Sequence, residues 1–391
     1  MDKLKFLIIS DLHSSVGKEH CEDSKLTFNS DGTSGEHGNT FIQYLESLNQ
    51  DFNFLVCPGD ISNKGDVDGF KAGWSFINKI KNDLSIDTLL CVPGNHDHQS
   101  RPGTSFSAIH DIKFVTPLFP SESRKSNTHF WGWHWSHIEF DDCNIIKLNS
   151  SAYHGLNNEY RHGRVAIETS KQIRHYLESP KFEEKKFNIL LCHHHPMKME
   201  QVDSRFDEES MEGGQMLLNE LEEADVGPWL IIHGHKHFAN LTYGPSQTGE
   251  PPVIFSAGSL GANLYPEIEN RTCNQFYIIE IDLLKTSSEE RLVGKFEAYS
   301  WNLMKGWHPS ECDHLPHKGG FGLKKSPQNF LQDIEMLLKG SKFLEEVDLK
   351  NIQEELDFCT PVEFKKLMKR MEKNSFEIEF IGNKLIQVAR S

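Results

Sequence analysis

No apolar run in the 391-residue sequence approaches the roughly 20 residues that a membrane-spanning helix requires, which argues against an integral membrane protein. Cysteine pairing signals are missing as well. The eight cysteines, at 21, 57, 91, 143, 192, 273, 312 and 359, include no CxxC pair. Cys57, Cys91 and Cys192 lie inside apolar, strand-like runs, so they read as buried thiols acting as small hydrophobes and not as disulfide partners. Positive charge is short: the formal net charge at pH 7 is −16. Such a chain repels nucleic-acid phosphates at long range unless a basic patch or a bound metal reverses the field. This speaks against a processive duplex-DNA binder. It does not exclude nucleotides, because divalent cations are often the largest local charges in a site. Met1-Asp2-Lys3-Leu4-Lys5-Phe6 runs directly into a strand and has neither the apolar segment nor the cleavage site of a signal peptide; the expected compartment is the reducing cytoplasm. There is no internal repeat.

What is present suits a soluble protein with a real core: 37 % apolar and 25 % charged residues, in a length that fits one large α/β domain plus an appendage or two ordinary domains. Lys5–Ser10 is a continuous apolar run, as expected for a strand buried on both faces. It ends in Asp11-Leu12-His13, where alternation along an extended backbone would put Asp11 and His13 on one side. Residues 14–40 are polar and glycine-rich and read as a long loop. A helix over 40–48, a strand at 52–58 closing on Gly59-Asp60, a helix over 66–82 and a strand at 88–93 leading into Gly94-Asn95-His96-Asp97 complete a β-α-β-α-β pattern. That pattern implies a parallel sheet with right-handed crossovers. Polar residues at the carboxyl ends of such strands are where these sheets bind ligands.

Further along, Phe130 to Trp135 alternates with period two and reads as a strand, followed by strands at 138–140 and 144–149, so a second sheet is expected. Its tryptophans could serve as a base-stacking platform or as one face of a sandwich core; the core reading is favoured. A helix over 164–177, a strand at 187–192 ending in His193-His194-His195-Pro196, a helix over 210–223 and a strand at 229–232 ending in His233-Gly234-His235-Lys236-His237 follow. Runs at 253–256 and 276–281 are expected to complete the second sheet. From about Pro309 the composition changes. Ser326-Pro327 opens a helix, Thr360-Pro361-Val362-Glu363 fits a capping box, and 376–388 reads as a hairpin turned at Gly382-Asn383. Lys365, Lys366, Lys369, Arg370 and Lys373 share one face of the second helix. This could touch nucleic acid, but a solvated face is the favoured reading. The chain is therefore divided into residues 1–308 and a mainly helical accessory region, 309–391, that reads as an interaction module for a protein partner.

Five strand ends offer Asp11, His13, Asp60, Asn95, His194, His235 and His237. Carboxylate, amide and imidazole donors in this mixture suit one or two borderline divalent metals such as Mn²⁺, Fe²⁺ or Zn²⁺. An all-oxygen Ca²⁺ cage and a cysteine-rich structural zinc site do not fit. Seven ligands exceed one tetrahedral site, and a carboxylate bridging two ions resolves the count.

The ordered set DxH, GD, GNHD, HxP and GHxH, from residue 11 to 237, resembles the calcineurin-like metallophosphoesterase superfamily. The resemblance implies a four-layer α-β-β-α sandwich of two mixed β-sheets and a dinuclear phosphoesterase in which a hydroxide bridging two ions attacks the phosphoryl group. It implies that Asp11, His13 and His237 bind one metal, that Asn95, His194 and His235 bind the other, and that Asp60 bridges them. His194 is taken over His193 because the family ligand stands two positions before the proline. The resemblance also implies that His96 faces the substrate, as a phosphate contact or proton donor, with Asp97 orienting its ring. No serine or cysteine nucleophile is required.

Protein phosphatases of this superfamily resemble GDxVDRG and GNHE. Here the second motif reads Gly59-Asp60-Ile61-Ser62-Asn63-Lys64-Gly65, without the arginine, and the third ends in Asp97. That form is similar to the branch acting on cyclic nucleotides and other phosphodiesters, as are Asn149-Ser150-Ser151 and His162-Gly163-Arg164. The expected activity is hydrolysis of a nucleotide-type phosphodiester. The alternatives are a DNA or RNA nuclease of the same chemistry, acting within a larger assembly, and a non-catalytic scaffold.

Overall fold

The computed structural model describes every residue except 1, 18–22, 101–105, 156–160, 200–201, 203–209, 382–383 and 391. Two sheets stack face to face. The first runs in the order Gly306–Pro309, Gly294–Asn302, Asn274–Asp282, Lys3–Ile8, Phe54–Cys57, Thr88–Cys91, with Lys318–Phe321 also paired to Gly294–Asn302. Its last three strands are parallel, as the β-α-β-α-β pattern demands. The second runs Asn240–Tyr243, Val253–Ser256, Trp229–His233, Phe187–Leu191, Cys143–Leu148, Trp135–Glu139, with four parallel strands between two antiparallel edges.

Side-chain alternation explains the layering. Leu4, Phe6 and Ile8 point inward with Phe54 and Val56 to meet Ile145, Phe187, Ile189, Leu230 and Ile232 of the other sheet. Leu7, Ile9, Leu55 and Cys57 point outward, against Phe41 and Leu45 of the helix Glu36–Ser47 and Phe70, Trp74 and Ile77 of the helix Val67–Asp83. Ile146, Leu190 and Ile231 back onto the helices Ile167–Leu177 and Gly214–Glu223 through Ile173, Leu177, Leu217 and Leu221. The architecture is the expected four-layer α-β-β-α sandwich, and each fully buried large side chain contributes about 1.5–3 kcal/mol of transfer free energy to it.

Three local expectations are corrected. Phe130–Trp133 is the end of a helix, Arg124–Trp133, and the strand begins only at Trp135. Ser123 caps that helix, its hydroxyl accepting from Ser126 N. Asn127, Phe130 and Trp131 face inward at helical spacing, while Trp133 is 56 % exposed. His134, in the left-handed region at φ 66°, ends the helix. The tryptophans thus form no continuous row. The run at 276–281 belongs to the first sheet, antiparallel to Lys3–Ile8, which makes that sheet mixed. The 14–40 segment is more structured than a loop: Ser15–Val16 pairs with Thr27–Phe28, Leu26 and Phe28 enter the core, and the helix starts at Glu36.

The first sheet continues past Pro309 to Phe321. From Leu323 onward the apolar residues form a cluster of their own, in which the helices Pro327–Leu337, Lys350–Leu356 and Pro361–Lys373 pack with a sheet of Phe343–Glu345, Lys384–Arg390 and Phe376–Ile381. The capping box is formed: Thr360 Oγ1 accepts from Glu363 N, and Glu363 accepts from Thr360 N. The hairpin is present, while its Gly382-Asn383 turn lies outside the described residues.

Candidate dinuclear metal site

The carboxyl ends of the parallel strands of both sheets meet at one place, and the sequence motifs meet there with them. Asp11 and His13 do not reach it by extended alternation. Both have left-handed backbones, φ 50° and 51°, as do Asp60, His235 and His237 at 51°, 76° and 53°. The chain turns sharply as each strand ends, and the turn aims the side chains. Non-glycine residues in this region carry a conformational cost that packing must offset, a pattern that clusters at functional sites.

One group of donors comprises Asp11, His13, Asp60 and His237. His13 Nε2 and His237 Nε2 are 3.1 Å apart, His237 Nε2 is 3.3 Å from Asp11 Oδ1, and His13 Nε2 is 3.6 Å from Asp60 Oδ2. All four residues are at most 3 % exposed. Asp11 is held by Ser10 Oγ and by the His235 amide, and Ser259 Oγ donates to its carbonyl. A second group centres on Asn95 Oδ1, with His193 Nε2 at 3.1 Å and His235 Nδ1 at 3.0 Å. Asp60 joins the two. Its Oδ1 accepts from His96 N at 2.7 Å, and its Oδ2 stands 3.3 Å from His193 Nε2 as well as near His13. Close backbone approach makes this arrangement: a Cβ on Gly94 would overlap Asp60 Oδ1.

The structure brings His193 and His194 together with His235 as possible ligands, and the hydrogen bonds of the two rings favour His193 for that role. His193 Nδ1 lies 2.8 Å from Pro58 O and must carry a hydrogen, since a carbonyl can only accept; Nε2, which faces Asn95 and Asp60, is the nitrogen that would meet a cation in place of its proton. A ring N–H spent on a backbone carbonyl is the usual support of a ligating imidazole. His194 turns Nδ1 to Ser150 Oγ at 2.9 Å.

Asp97 is revised too. Its Oδ1 accepts from Ser62 N and Ser62 Oγ and its Oδ2 from Gly94 N, which locks the second motif to the third. The His96 ring is met at Nδ1 by the Lys64 amide, 3.2 Å away. Ser62 and Ser150, which lie inside the segments quoted above, and the Pro58 carbonyl are supporting groups whose roles motif reading missed; small polar residues carry no signal that separates support from turn chemistry.

Electrostatics fit cation binding. Burial, with the charges of His96 and His237, holds the His13 pKa well below its usual value; burial and His194 do the same to His235, so these imidazoles are neutral donors. Burial by itself would raise Asp60, but the charges of His193 and His96 outweigh it and hold the carboxyl well below its usual range. Burial opposes a charge on His193, yet the Asp60 carboxylate pushes it up to about 9. Two buried carboxylates among five imidazoles, with only histidines among the described residues as their ion-pair partners, make a donor set that two borderline divalent cations fit.

A sequence profile of the calcineurin-like phosphoesterase family matches residues 4–239, more than half of the chain. The chain belongs to the calcineurin-like phosphoesterase family. All seven donors named above lie within the matched segment of this phosphoesterase. Comparison with curated protein sequences gives no match. Among solved structures, a purple acid phosphatase from yellow lupin (Lupinus luteus) seeds is similar at 17 % identity and TM-score 0.48, covering 76 % of this chain and 51 % of its own. The NAD nucleotidase of Haemophilus influenzae is similar at 13 % identity and TM-score 0.40, covering 96 % and 61 %. A 5'-nucleotidase from Candida albicans follows at 12 % identity and TM-score 0.35, covering 76 % and 52 %. The chain thus spans about half to three-fifths of the length of these proteins, and likeness this distant bears on no activity. No helix among the described residues is long and apolar enough to cross a membrane.

Proposed function

We propose that this calcineurin-like phosphoesterase is a dinuclear phosphodiesterase acting on a nucleotide-type diester. The observation that carries the reading is Asp60, one carboxylate shared between the Asp11–His13–His237 group and the Asn95–His193–His235 group. In this assignment the first three residues hold one divalent cation (Mn²⁺, Fe²⁺ or Zn²⁺) and the second three the other. When bound, the cations supply Lewis-acid polarisation of the phosphoryl oxygens and an activated water nucleophile.

The chain's own groups do the rest. Asp60 is fixed in orientation by the His96 amide, and Asp97 fixes the loop that carries Asn95 and His96. Because Lys64 N donates to His96 Nδ1, the neutral His96 ring carries its hydrogen on Nε2. That N–H is the hydrogen-bond donor we assign to a phosphoryl oxygen of the substrate. The preference for a diester rests on the missing arginine of the GDISNKG segment and on Asp97. Tyr265, 39 % exposed and parallel to the His237 ring at 5.3 Å, offers the flat surface a nucleobase would use. We place the enzyme in the reducing cytoplasm, in keeping with its free, mostly buried thiols. We read the unit beyond Gly322, the larger part of the 309–391 region, as an accessory module for a protein partner.

The test is a substrate panel of bis-p-nitrophenyl phosphate, cyclic mononucleotides, nucleoside monophosphates and single- and double-stranded oligonucleotides, each with Mn²⁺ and with EDTA. Metal-dependent turnover of the diesters is expected. Cleavage of oligonucleotides alone would make the protein a nuclease. No metal-dependent cleavage at all would leave the scaffold reading.

A further inference from the structure

His194 is buried in this site and groups with His193 and His235 as a possible ligand, so its hydrogen bonds must decide its role. It is 0 % exposed, and one of its ring nitrogens lies within 4.8 Å of donor nitrogens of both His193 and His235. Hydrogen-bond accounting fixes its state. Ser150 Oγ accepts from His193 N at 3.2 Å and from His194 N at 3.1 Å, which uses both lone pairs of the hydroxyl. The hydroxyl hydrogen therefore goes to His194 Nδ1, 2.9 Å away. With Nδ1 accepting, the neutral ring must carry its hydrogen on Nε2. That Nε2–H is buried and has no hydrogen-bond partner among the described residues. The ring is also held in place. Gly163, φ 79°, lies so close that a Cβ there would overlap it, and the His235 ring packs at 4.5 Å between centroids.

A buried donor left unpaired costs about 1–3 kcal/mol. The neighbouring histidine is oriented the opposite way: His193 spends Nδ1–H on Pro58 O, which leaves Nε2 as the nitrogen that a cation would take in place of a proton. Two consecutive imidazoles are thus fixed with opposite polarity, one to accept a cation and one to donate a hydrogen.

We infer that His194 is a fixed, neutral hydrogen-bond donor to a phosphoryl oxygen lying beside the His193–His235 group, its polarity set by Ser150. The inference rests on the dinuclear reading above and adds a substrate-contacting residue to it. The ligand chemistry is a tetrahedral oxyanion, whether the phosphoryl group of the substrate or free inorganic phosphate. A donor prepositioned for such an oxygen acts more strongly on the charge that develops in the transition state than on the ground state.

The test compares wild type with His194→Phe, His194→Gln, Ser150→Ala and His193→Gln, each stripped of metal and reloaded with Mn²⁺ alone. Bound manganese is counted by elemental analysis, inorganic phosphate binding is measured by calorimetry, and hydrolysis of bis-p-nitrophenyl phosphate is resolved into kcat and KM. His194→Phe is expected to keep the wild-type manganese content, to bind phosphate about tenfold more weakly, and to lose about 10²-fold in kcat with a smaller change in KM. His194→Gln, which restores an N–H near the position of Nε2, recovers part of both losses. Ser150→Ala, which frees the tautomer, falls between. His193→Gln loses manganese.

The inference is overturned if His194→Phe loses a manganese ion while His193→Gln keeps both. It is overturned equally if His194→Phe keeps its metal and binds phosphate within about twofold of wild type. If His194→Phe does not fold, His194→Gln and Ser150→Ala decide by the same phosphate affinities. A wild-type protein that binds manganese and phosphate but hydrolyses no diester would sink the phosphodiesterase reading, while the phosphate affinities would still judge His194.

Discussion

A methyl group on Gly94 would fall on Asp60 Oδ1, the oxygen fixed by the His96 amide. Gly94→Ala is therefore expected to push the shared carboxylate out of register. Displacements of about 1 Å at a reacting centre cost roughly 10²-fold in rate, so the variant should fold, bind manganese more weakly and lose about that factor in kcat/KM. Normal metal uptake and turnover would show that Asp60 has slack the geometry does not provide. Away from the site, His37 is buried against Trp301 and Trp307, and its Nε2–H donates to Leu260 O. Burial lowers its pKa from 6.5 to about 4. The unfolded chain takes up this proton near 6.5 and the folded chain only near 4. Stability from this residue is thus complete above pH 6.5 and is lost progressively as pH falls to about 4, by about 3 kcal/mol in all. Urea unfolding across that window should show His37→Gln, though less stable at pH 7, losing less than wild type; parallel pH profiles would contradict it. Residue types at the site were legible in the motifs because metals demand particular donors. The choice of His193 over His194 was not, since it depends on which backbone carbonyl and which hydroxyl each ring meets.

Among the elements, the helix Pro361–Lys373 is closed by a reciprocal cap, Thr360 Oγ1 on Glu363 N and Glu363 on Thr360 N. Thr360→Ala should cost about 1 kcal/mol, readable as a lower urea midpoint at unchanged slope. An unchanged midpoint would mean that the buried face of Leu367 and Met371 alone holds the helix. This cap could be read directly from sequence, as could the parallel strands and their crossover helices, because capping and period are local properties. The Phe130–Trp135 run was misread because its aromatic spacing satisfies both periods; the helix was decided by Ser123 and by the inward positions Asn127, Phe130 and Trp131. The strand Asn274–Asp282 was assigned to the wrong sheet for a different reason. A strand apolar on both faces says that it is central without saying which neighbour it pairs with.

At the scale of the molecule, the carboxyl ends of two independent sheets build one acidic, histidine-rich centre in a chain of net charge −16. The terminal unit beyond Gly322 has its own core and meets the sandwich at contacts that include Gly320 N donating to Cys359 O, Lys365 Nζ donating to Asp313 O, and the Lys295–Asp357 ion pair. A chain ending at Gly322 is expected to retain manganese binding and diester turnover, checked by metal content and initial rates; loss of metal would make the unit part of the catalytic body. The family was legible because five motifs recur in order at strand ends, whereas the substrate is set by the rim of the site, where no motif constrains the residues.

The most direct test of the central claim is manganese titration of metal-free protein with bis-p-nitrophenyl phosphate turnover followed in parallel, for wild type and Asp60→Asn. The account predicts two manganese ions per chain, turnover that rises with their uptake and is abolished by EDTA, and loss of both the second ion and turnover in Asp60→Asn. Turnover indifferent to EDTA, or an Asp60→Asn variant that hydrolyses the diester as fast as wild type, would contradict it.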